Sequence, residues 1–323
     1  MNTLTALRAG SATHAGRLRS GNEDRVFADA GSGVFLVVDG MGGHAAGGTA
    51  ADIAVAAVRE QLREAGSGNE MRVRRAIAAA NNRILEAAQT RPEWQGMACV
   101  LTLALVEDNQ LYWDHVGDSR LYLFSEGTLR KLTPDHSPVG EKEDRGELDE
   151  REAMRHPLRN RVSRDVGLAF RTADDPDFIE TASLPFPSEA ALLLCSDGLS
   201  DSLTARQITS VLEEFSGDPD RTASQLVEAA NEQRGADNVS VILVAGADFE
   251  RRHRERLDQL RERHGITRVR AKSDRVRLRS RYIWLLIGLV CGLLLAFAWA
   301  RRADLKSAVS SFAVHNKVGD GRR

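Results

Sequence analysis

Up to about residue 250 the chain alternates between short apolar runs and longer amphipathic stretches. The runs near Val34, Val100, Leu111, Leu121, Leu192 and Val239 are short and apolar, that at Val34–Val38 also β-branched, which predicts strands. Ala45–Gln61, Met71–Ala88, Thr204–Phe215 and Arg221–Asn231 carry apolar residues at helical spacing among good helix formers. The pattern then changes. Phe249–Arg281 is dense in arginine and poor in apolar residues, and reads as a linker or juxtamembrane helix. Tyr282–Ala300, "YIWLLIGLVCGLLLAFAWA", carries no charge. A helix of that length spans roughly 28 Å at about 1.5 Å per residue, close to the hydrocarbon thickness of a bilayer. Tyr282, Trp284 and Trp299 stand near its ends, where aromatic belts lie. The expected organisation is a soluble domain (1–250), a charged linker (251–281), a transmembrane helix (282–300) and a short tail (301–323).

Composition removes several alternatives. The net charge of −2 gives no general call for nucleic acid. Cys99, Cys195 and Cys291 are odd in number, far apart and set in apolar runs, which suits a reducing compartment and no zinc knuckle. The first twenty residues hold no apolar signal-peptide core. Basic residues before Tyr282 are denser than Arg301, Arg302 and Lys306 after Ala300. The expectation is therefore a single-pass protein of the inner (cytoplasmic) membrane, its soluble domain facing the cytoplasm. The basic residues from Arg268 to Arg281 suit anionic lipid. Gly288 and Gly292 form a G-x-x-x-G pair, a weak sign of dimerisation.

Candidate chemistry lies at the edges of the strand-like runs. In "VVDGMGGHAAGG" (37–48) a strand ends in Asp39 and a glycine-rich turn leads into a helix. A Walker A loop would need lysine where Thr49 stands. Gly40, Gly42 and Ala45 fit a dinucleotide fingerprint, but Asp39 would oppose a pyrophosphate. Alone, the stretch reads as an ordinary strand-to-helix turn. The motif repeats, however: Glu23 and Asp24 in "RSGNED", Asp118 between two runs, Asp197 closing a run with Asp201 four residues on, and Asp237 just before a strand. Two carboxylates about 4 Å apart repel by roughly 4 kcal/mol at an effective dielectric of 20. A convergent set must protonate, separate or bind cations, and oxygen-only ligands favour Mg²⁺ or Mn²⁺. The usual use of such a cluster is a two-metal site that activates water, with the Gly40 carbonyl a convenient further ligand.

Taken together, "RSGNED", "VVDGMGGH", "GMACVLTLALV", "VGDSRLYL", "LTPDHS", "HPLRNRVSRDVG", "CSDGLSD" and "ADNVSVILV", in this order, resemble the metal-dependent Ser/Thr protein phosphatases of the PPM family (type 2C) of bacterial type. The resemblance runs from about Ala12 to Val244. It implies an α+β fold, a four-layer α-β-β-α sandwich of two antiparallel sheets flanked by helices, to which the C-terminal transmembrane helix is added. It implies two Mn²⁺ or Mg²⁺ ions: Asp39 bridging both, the Gly40 carbonyl on one, Asp197 and Asp237 on the first, Glu23 on the second through water, and Asp24 supporting the cluster. Bacterial members add a third ion, for which Asp118, Asp201 and Asp197 match. Arg19 matches the arginine that grips the substrate phosphate, a task suited to a guanidinium fork. Asn238 is expected to support Asp237.

One position departs from the family pattern. Where some members place a histidine after Asp-Gly as general acid, this chain has Met41. That leaves water held by the metal cluster as the expected proton donor, with His44, His14, His115 and His136 as further candidates. Glu141–Met154 matches the family's variable, mobile flap. The expected partners are phosphoserine and phosphothreonine proteins and a bacterial Ser/Thr kinase whose action the enzyme reverses. A non-catalytic phosphoprotein sensor and a two-metal hydrolase of small phosphate esters are the alternatives.

Overall fold

The computed structural model describes residues 7–42, 46–63 and 68–263. The chain divides into two units, Met1–Leu260 and Arg261–Arg323. Among the described residues ten strands form two antiparallel sheets of five. The first sheet has the order β1 (Arg8–His14), β10 (Val239–Ala245), β9 (Ala191–Cys195), β6 (Arg120–Ser125), β7 (Thr128–Lys131). The second has the order β2 (Arg25–Asp29), β3 (Val34–Met41), β4 (Ala98–Glu107), β5 (Gln110–Val116), β8 (Glu180–Pro185).

The two-residue period of a strand sorts the side chains. Phe35 and Val37 of β3, Leu192 and Leu194 of β9, and Ile242 and Val244 of β10 pack with one another between the sheets. Their neighbours point outward. Leu36 and Val38 join Ala50, Ala54 and Val58 of α1 (Ala46–Gln61) and Ile77 and Ile84 of α2 (Asn69–Thr90). Leu193 and Leu243 join Ile208 and Leu212 of α6 (Ala205–Glu213) and Leu226 of α7 (Pro219–Gln233). Strands apolar on both faces and helices apolar on one thus stack in four layers, as the family resemblance implies. Each fully buried large side chain contributes about 1.5–3 kcal/mol.

Caps fix where the outer helices begin. Thr204 and Gln207 form a reciprocal capping box at α6, and Asp218 caps α7 with Pro219 at its first turn. The remaining helices are short: α3 (Pro138–Asp144), α4 (Glu150–Arg155) and α5 (Asp197–Ser200). The last, α8 (Phe249–Arg263), is charged on most faces but buries Phe249 and His253 against Phe124 and Phe215. The expected domain boundary at residue 250 therefore falls within the first turn of a helix that packs on the domain. Among the described residues no helix is long and apolar enough to cross a membrane; Tyr282–Ala300 lies outside them.

The six central strands are those expected from the apolar runs. The four that the pattern does not mark, β1, β2, β7 and β8, are the four edges of the two sheets. Each is at best half-buried along most of its length, so its sequence carries no apolar run.

Candidate active site

Register alone brings the acids to one end of the sandwich. Arg25 pairs with Val38, His14 with Val239, and both Arg120 and Val241 with Cys195. The segment 15–24, the end of β3, the start of β6, the end of β9 and the start of β10 therefore share an edge. Asp39 lies on the inter-sheet face of β3, in line with Phe35 and Val37. Asp118 sits in the turn before β6, Asp197 opens α5 directly after β9, Asp201 follows α5, and Asp237 precedes β10.

Electrostatics show that the two sheets' acids meet. Burial, then the charges of Asp24, Asp197, Asp118 and Asp237, hold the Asp39 carboxyl well above the usual range. Burial, then Asp118, Asp201, Asp237 and Asp24, do the same to Asp197. Asp118 is pushed up to about 7 by burial, Asp135 and Asp201, against the pull of Arg120. Asp24 is raised to about 6 by burial, although Ser240 and Ser196 hydrogen bonds oppose the rise. Asp201 is raised by burial, against Arg159.

Local contacts hold these groups in place. The Ser196 hydroxyl donates to Asp24 Oδ2 at 2.8 Å and accepts from the Ser240 N–H at 3.0 Å, which ties β9, β10 and the segment before β2 together. Asn238 acts as a clamp. Its Oδ1 accepts from the Glu23 N–H at 2.8 Å, and its Nδ2 donates to the carbonyls of Ala15 (3.0 Å) and Gly21 (2.9 Å). The Asn238 N–H donates to Asp237 Oδ1 at 2.9 Å. Asn238 thus supports Asp237, as expected, and also shapes the whole 15–23 turn. Arg19 donates to Asp237 Oδ2 at 2.8 Å and remains half exposed.

Gly40 is constrained by packing. A Cβ there would strike the backbone of Gly47 in α1 and the carbonyl of Glu23; a Cβ on Gly47 would strike Gly40 in turn. The pair of glycines lets α1 rest directly on the end of β3. Gly117, at φ +113°, turns the chain into Asp118 with no room for a side chain beside Val100.

A second buried network, not apparent from the sequence, supports the Asp118 turn. Arg120 binds Asp135 and Glu143, each at 2.6 Å, and Lys131 binds Asp135 at 3.1 Å and Asp144 at 2.5 Å. These charges fix α3, the first half of the expected flap, to the first sheet. The second half, α4, is held by Glu150, whose Oε1 accepts from the Ala205 N–H at 2.9 Å. Arg159 pairs with Asp201 at 2.9 Å, and Arg234 donates to the carbonyls of Met154 (2.8 Å) and Asp201 (3.3 Å).

The candidate histidines are engaged elsewhere. His115 is fully buried, donates to the Gly117 carbonyl at 2.8 Å and accepts from Thr102 at 2.9 Å; burial lowers it to about 4. His136 accepts from the Gly117 N–H at 3.0 Å and is lowered to about 3 by burial, then by the charges of His115 and Arg164. His14 accepts from the Gly16 N–H at the end of β1. Met41 ends β3, and His44 lies outside the described residues.

The donor set suits hard divalent cations. It is all carboxylate and carbonyl oxygen, and Glu23 Oε1, Asp24 Oδ1 and Asp197 Oδ1 are buried without a hydrogen-bond partner. Among the described residues no three acids, histidines or cysteines are grouped tightly enough to chelate one ion as they stand. Arg19 holds Asp237, and Arg159 holds Asp201. Apart from these tethers, Asp39, Asp118 and Asp197 are raised by burial and then by neighbouring carboxylates, an environment that a hard divalent cation would relieve.

Comparison with known proteins places the fold. The family model described as protein phosphatase 2C matches residues 14–231. The serine/threonine phosphatase stp of Listeria welshimeri is 33% identical over 240 residues, covering 72% of this chain and 93% of that protein. The serine/threonine protein phosphatase PstP of Mycobacterium tuberculosis is 32% identical over 252 residues, covering 76% of this chain and 46% of PstP. A crystal structure of that phosphatase superposes with a TM-score of 0.66 at 31% identity, covering 74% of this chain and 98% of the other. A structure of the PstP catalytic domain in complex with two manganese ions gives 0.64 at 30% identity, over 74% and 97%. The chain belongs to the protein phosphatase 2C family.

Proposed function

We propose that this protein hydrolyses phosphoserine and phosphothreonine in proteins with the help of two divalent cations, Mn²⁺ or Mg²⁺. One observation carries the reading: acids from five separate segments converge at one end of the sandwich, where burial and then neighbouring carboxylates raise Asp39, Asp197 and Asp118. Asp39, Asp197, Asp237, Glu23 and the Gly40 carbonyl would hold the two ions, with Asp24 in support; Asp118, Asp201 and Asp197 would hold a third. The ions supply Lewis-acid activation of water and neutralise phosphate charge. Arg19 orients the phosphate through paired N–H donors and is itself aligned by Asp237. Asn238 keeps the 15–23 turn, and so Glu23 and Arg19, in register with Asp237. Cys195 is buried and its thiol is pushed up to about 12 by burial, which leaves it unsuited to act as a nucleophile.

Tyr282–Ala300 would tether the enzyme to the inner membrane as a single span with the phosphatase domain in the cytoplasm. There it would reverse the work of a Ser/Thr kinase, the span serving to concentrate the enzyme near membrane-bound targets. The test is hydrolysis of phosphothreonine peptides and of nucleotides in Mn²⁺, by wild type and by Asp39→Asn. Metal-dependent release of phosphate from the peptides alone, lost in the variant, is expected. Release from nucleotides alone would favour a small-ester hydrolase, and no release from either would favour a sensor.

A further inference from the structure

Four large apolar side chains are exposed among the described residues: Leu18 (77%), Leu158 (46%), Leu168 (53%) and Phe170 (70%). All four lie on the segments that border the acidic cluster. Leu18 stands between Arg17 and Arg19, and Arg19 binds Asp237. Leu158 stands beside Arg159, which binds Asp201. Leu168 and Phe170 follow Val166, which bridges Cys99, the strand partner of Gly40. Their loop is pinned rather than loose. Asn81 bonds Gly167 and Ala169 at 2.8 and 2.7 Å, and Asn82 bonds Arg171 through its N–H and its carbonyl.

The same segments carry exposed arginines beyond those engaged with the acids. Arg17, Arg155 and Arg161 are exposed, and no side-chain partner of theirs lies among the described residues. The Arg17 N–H donates to the Gly235 carbonyl, which places it against Asp237's own turn. Arg155 and Arg161 flank Arg159 in a double turn closed by the His156 and Leu158 carbonyls. Arg25 and Arg83, by contrast, are paired, with Asp52 and with Glu60. Free cations and uncovered apolar groups thus occur on the same segments that lead into the acids, and leave surface complementary to acidic and apolar side chains.

We propose that these lips bind the residues flanking the phosphorylated side chain and select phosphosites with a nearby acidic residue and a bulky apolar one. This rests on the phosphatase reading above and adds its substrate class. Arg17 and Arg161 attract the acidic flank, and Leu18, Leu158, Leu168 and Phe170 offer contact area to the apolar one. Screening by salt weakens the first effect and leaves the second.

The test uses the full chain in detergent with Mn²⁺, an aryl phosphate, and phosphothreonine peptides of one length whose flanks carry Glu, Ala or Lys, with Leu or Ser beside them. Glu-flanked peptides should exceed Lys-flanked ones in kcat/KM by about fivefold or more at low salt, a contrast that shrinks at high salt. The double variant Arg17→Gln/Arg161→Gln should lose most of that contrast and keep aryl phosphate turnover. Leu18→Ser should reduce the preference for leucine. Equal rates on all peptides by an enzyme active on aryl phosphate would overturn this inference and leave the phosphatase reading intact. Inactivity on every substrate would instead overturn the phosphatase reading and this inference with it. A double variant that loses binding to anionic vesicles with unchanged peptide contrast would assign the lips to a lipid surface.

Discussion

Asp39 faces carboxylates from both sheets, so its charge is opposed in the metal-free protein and, on the proposed function, needed in the metal-loaded one. Asp39→Asn should therefore lower turnover by about a thousandfold or more while raising the Tm of the metal-free protein. Scanning calorimetry in a chelator and kinetics in Mn²⁺ check the two halves separately. Asp114 gives a second prediction, away from the site. It is fully buried under α2 with no well-formed hydrogen bond, and burial raises it to about 7 against the pull of the nearby Thr181 hydroxyl and Arg74. The folded state holds this proton more tightly than the unfolded chain, whose aspartates titrate near 3.9. Its favourable contribution is complete below that value and is lost as pH rises through about 7. Asp114→Asn should remove this slope and make the protein more stable above pH 7, by on the order of 1–3 kcal/mol. Denaturant melts at pH 5 and pH 8 read the difference; an unchanged slope would mean that Asp114 is not the titrating group.

At the scale of elements, α8 and the β3–α1 junction make the clearest demands. Ending the chain at residue 250 keeps Phe249 but removes His253 and most of the helix that covers Phe215 and Phe124. It also leaves the Arg8–Glu250 pair at a frayed terminus. A fragment of residues 1–263 should melt several degrees above one of residues 1–250. Equal melting temperatures would show that α8 adds no stability. At the junction, Gly40→Ala would force the β3 backbone away from Gly47 and from the Glu23 carbonyl. It should cost several kcal/mol and weaken Mn²⁺ binding, seen together in calorimetric titration. Gly42, whose added Cβ would meet milder contacts, is the control and should tolerate alanine better.

For the whole molecule, the tether and the chemistry should separate. Residues 1–263 should match the full chain on an aryl phosphate and fall behind it on substrates presented on vesicles, because a tether raises local concentration without adding contacts. Reporter fusions at both ends should place the N-terminal domain in the cytoplasm. A domain digested by protease from outside spheroplasts would reverse the topology.

The six central strands, four of the helices and the acids at strand ends were legible in the sequence, because a strand buried on both faces must be apolar and a carboxylate beside it is conspicuous. Edge strands β1, β2, β7 and β8 were not, since water on one side relaxes their composition. Nor were the Arg120–Asp135–Glu143 network, the Asn238 clamp, the Gly40–Gly47 contact or the unpaired Asp114. The first two join residues distant in the chain, and no local pattern records which groups a register or a helix packing brings together. The sequence determined which segments are buried and where charge stands; only the pairing of β3 with β2 and β4, and of β9 with β6 and β10, decided that those charges meet in one place.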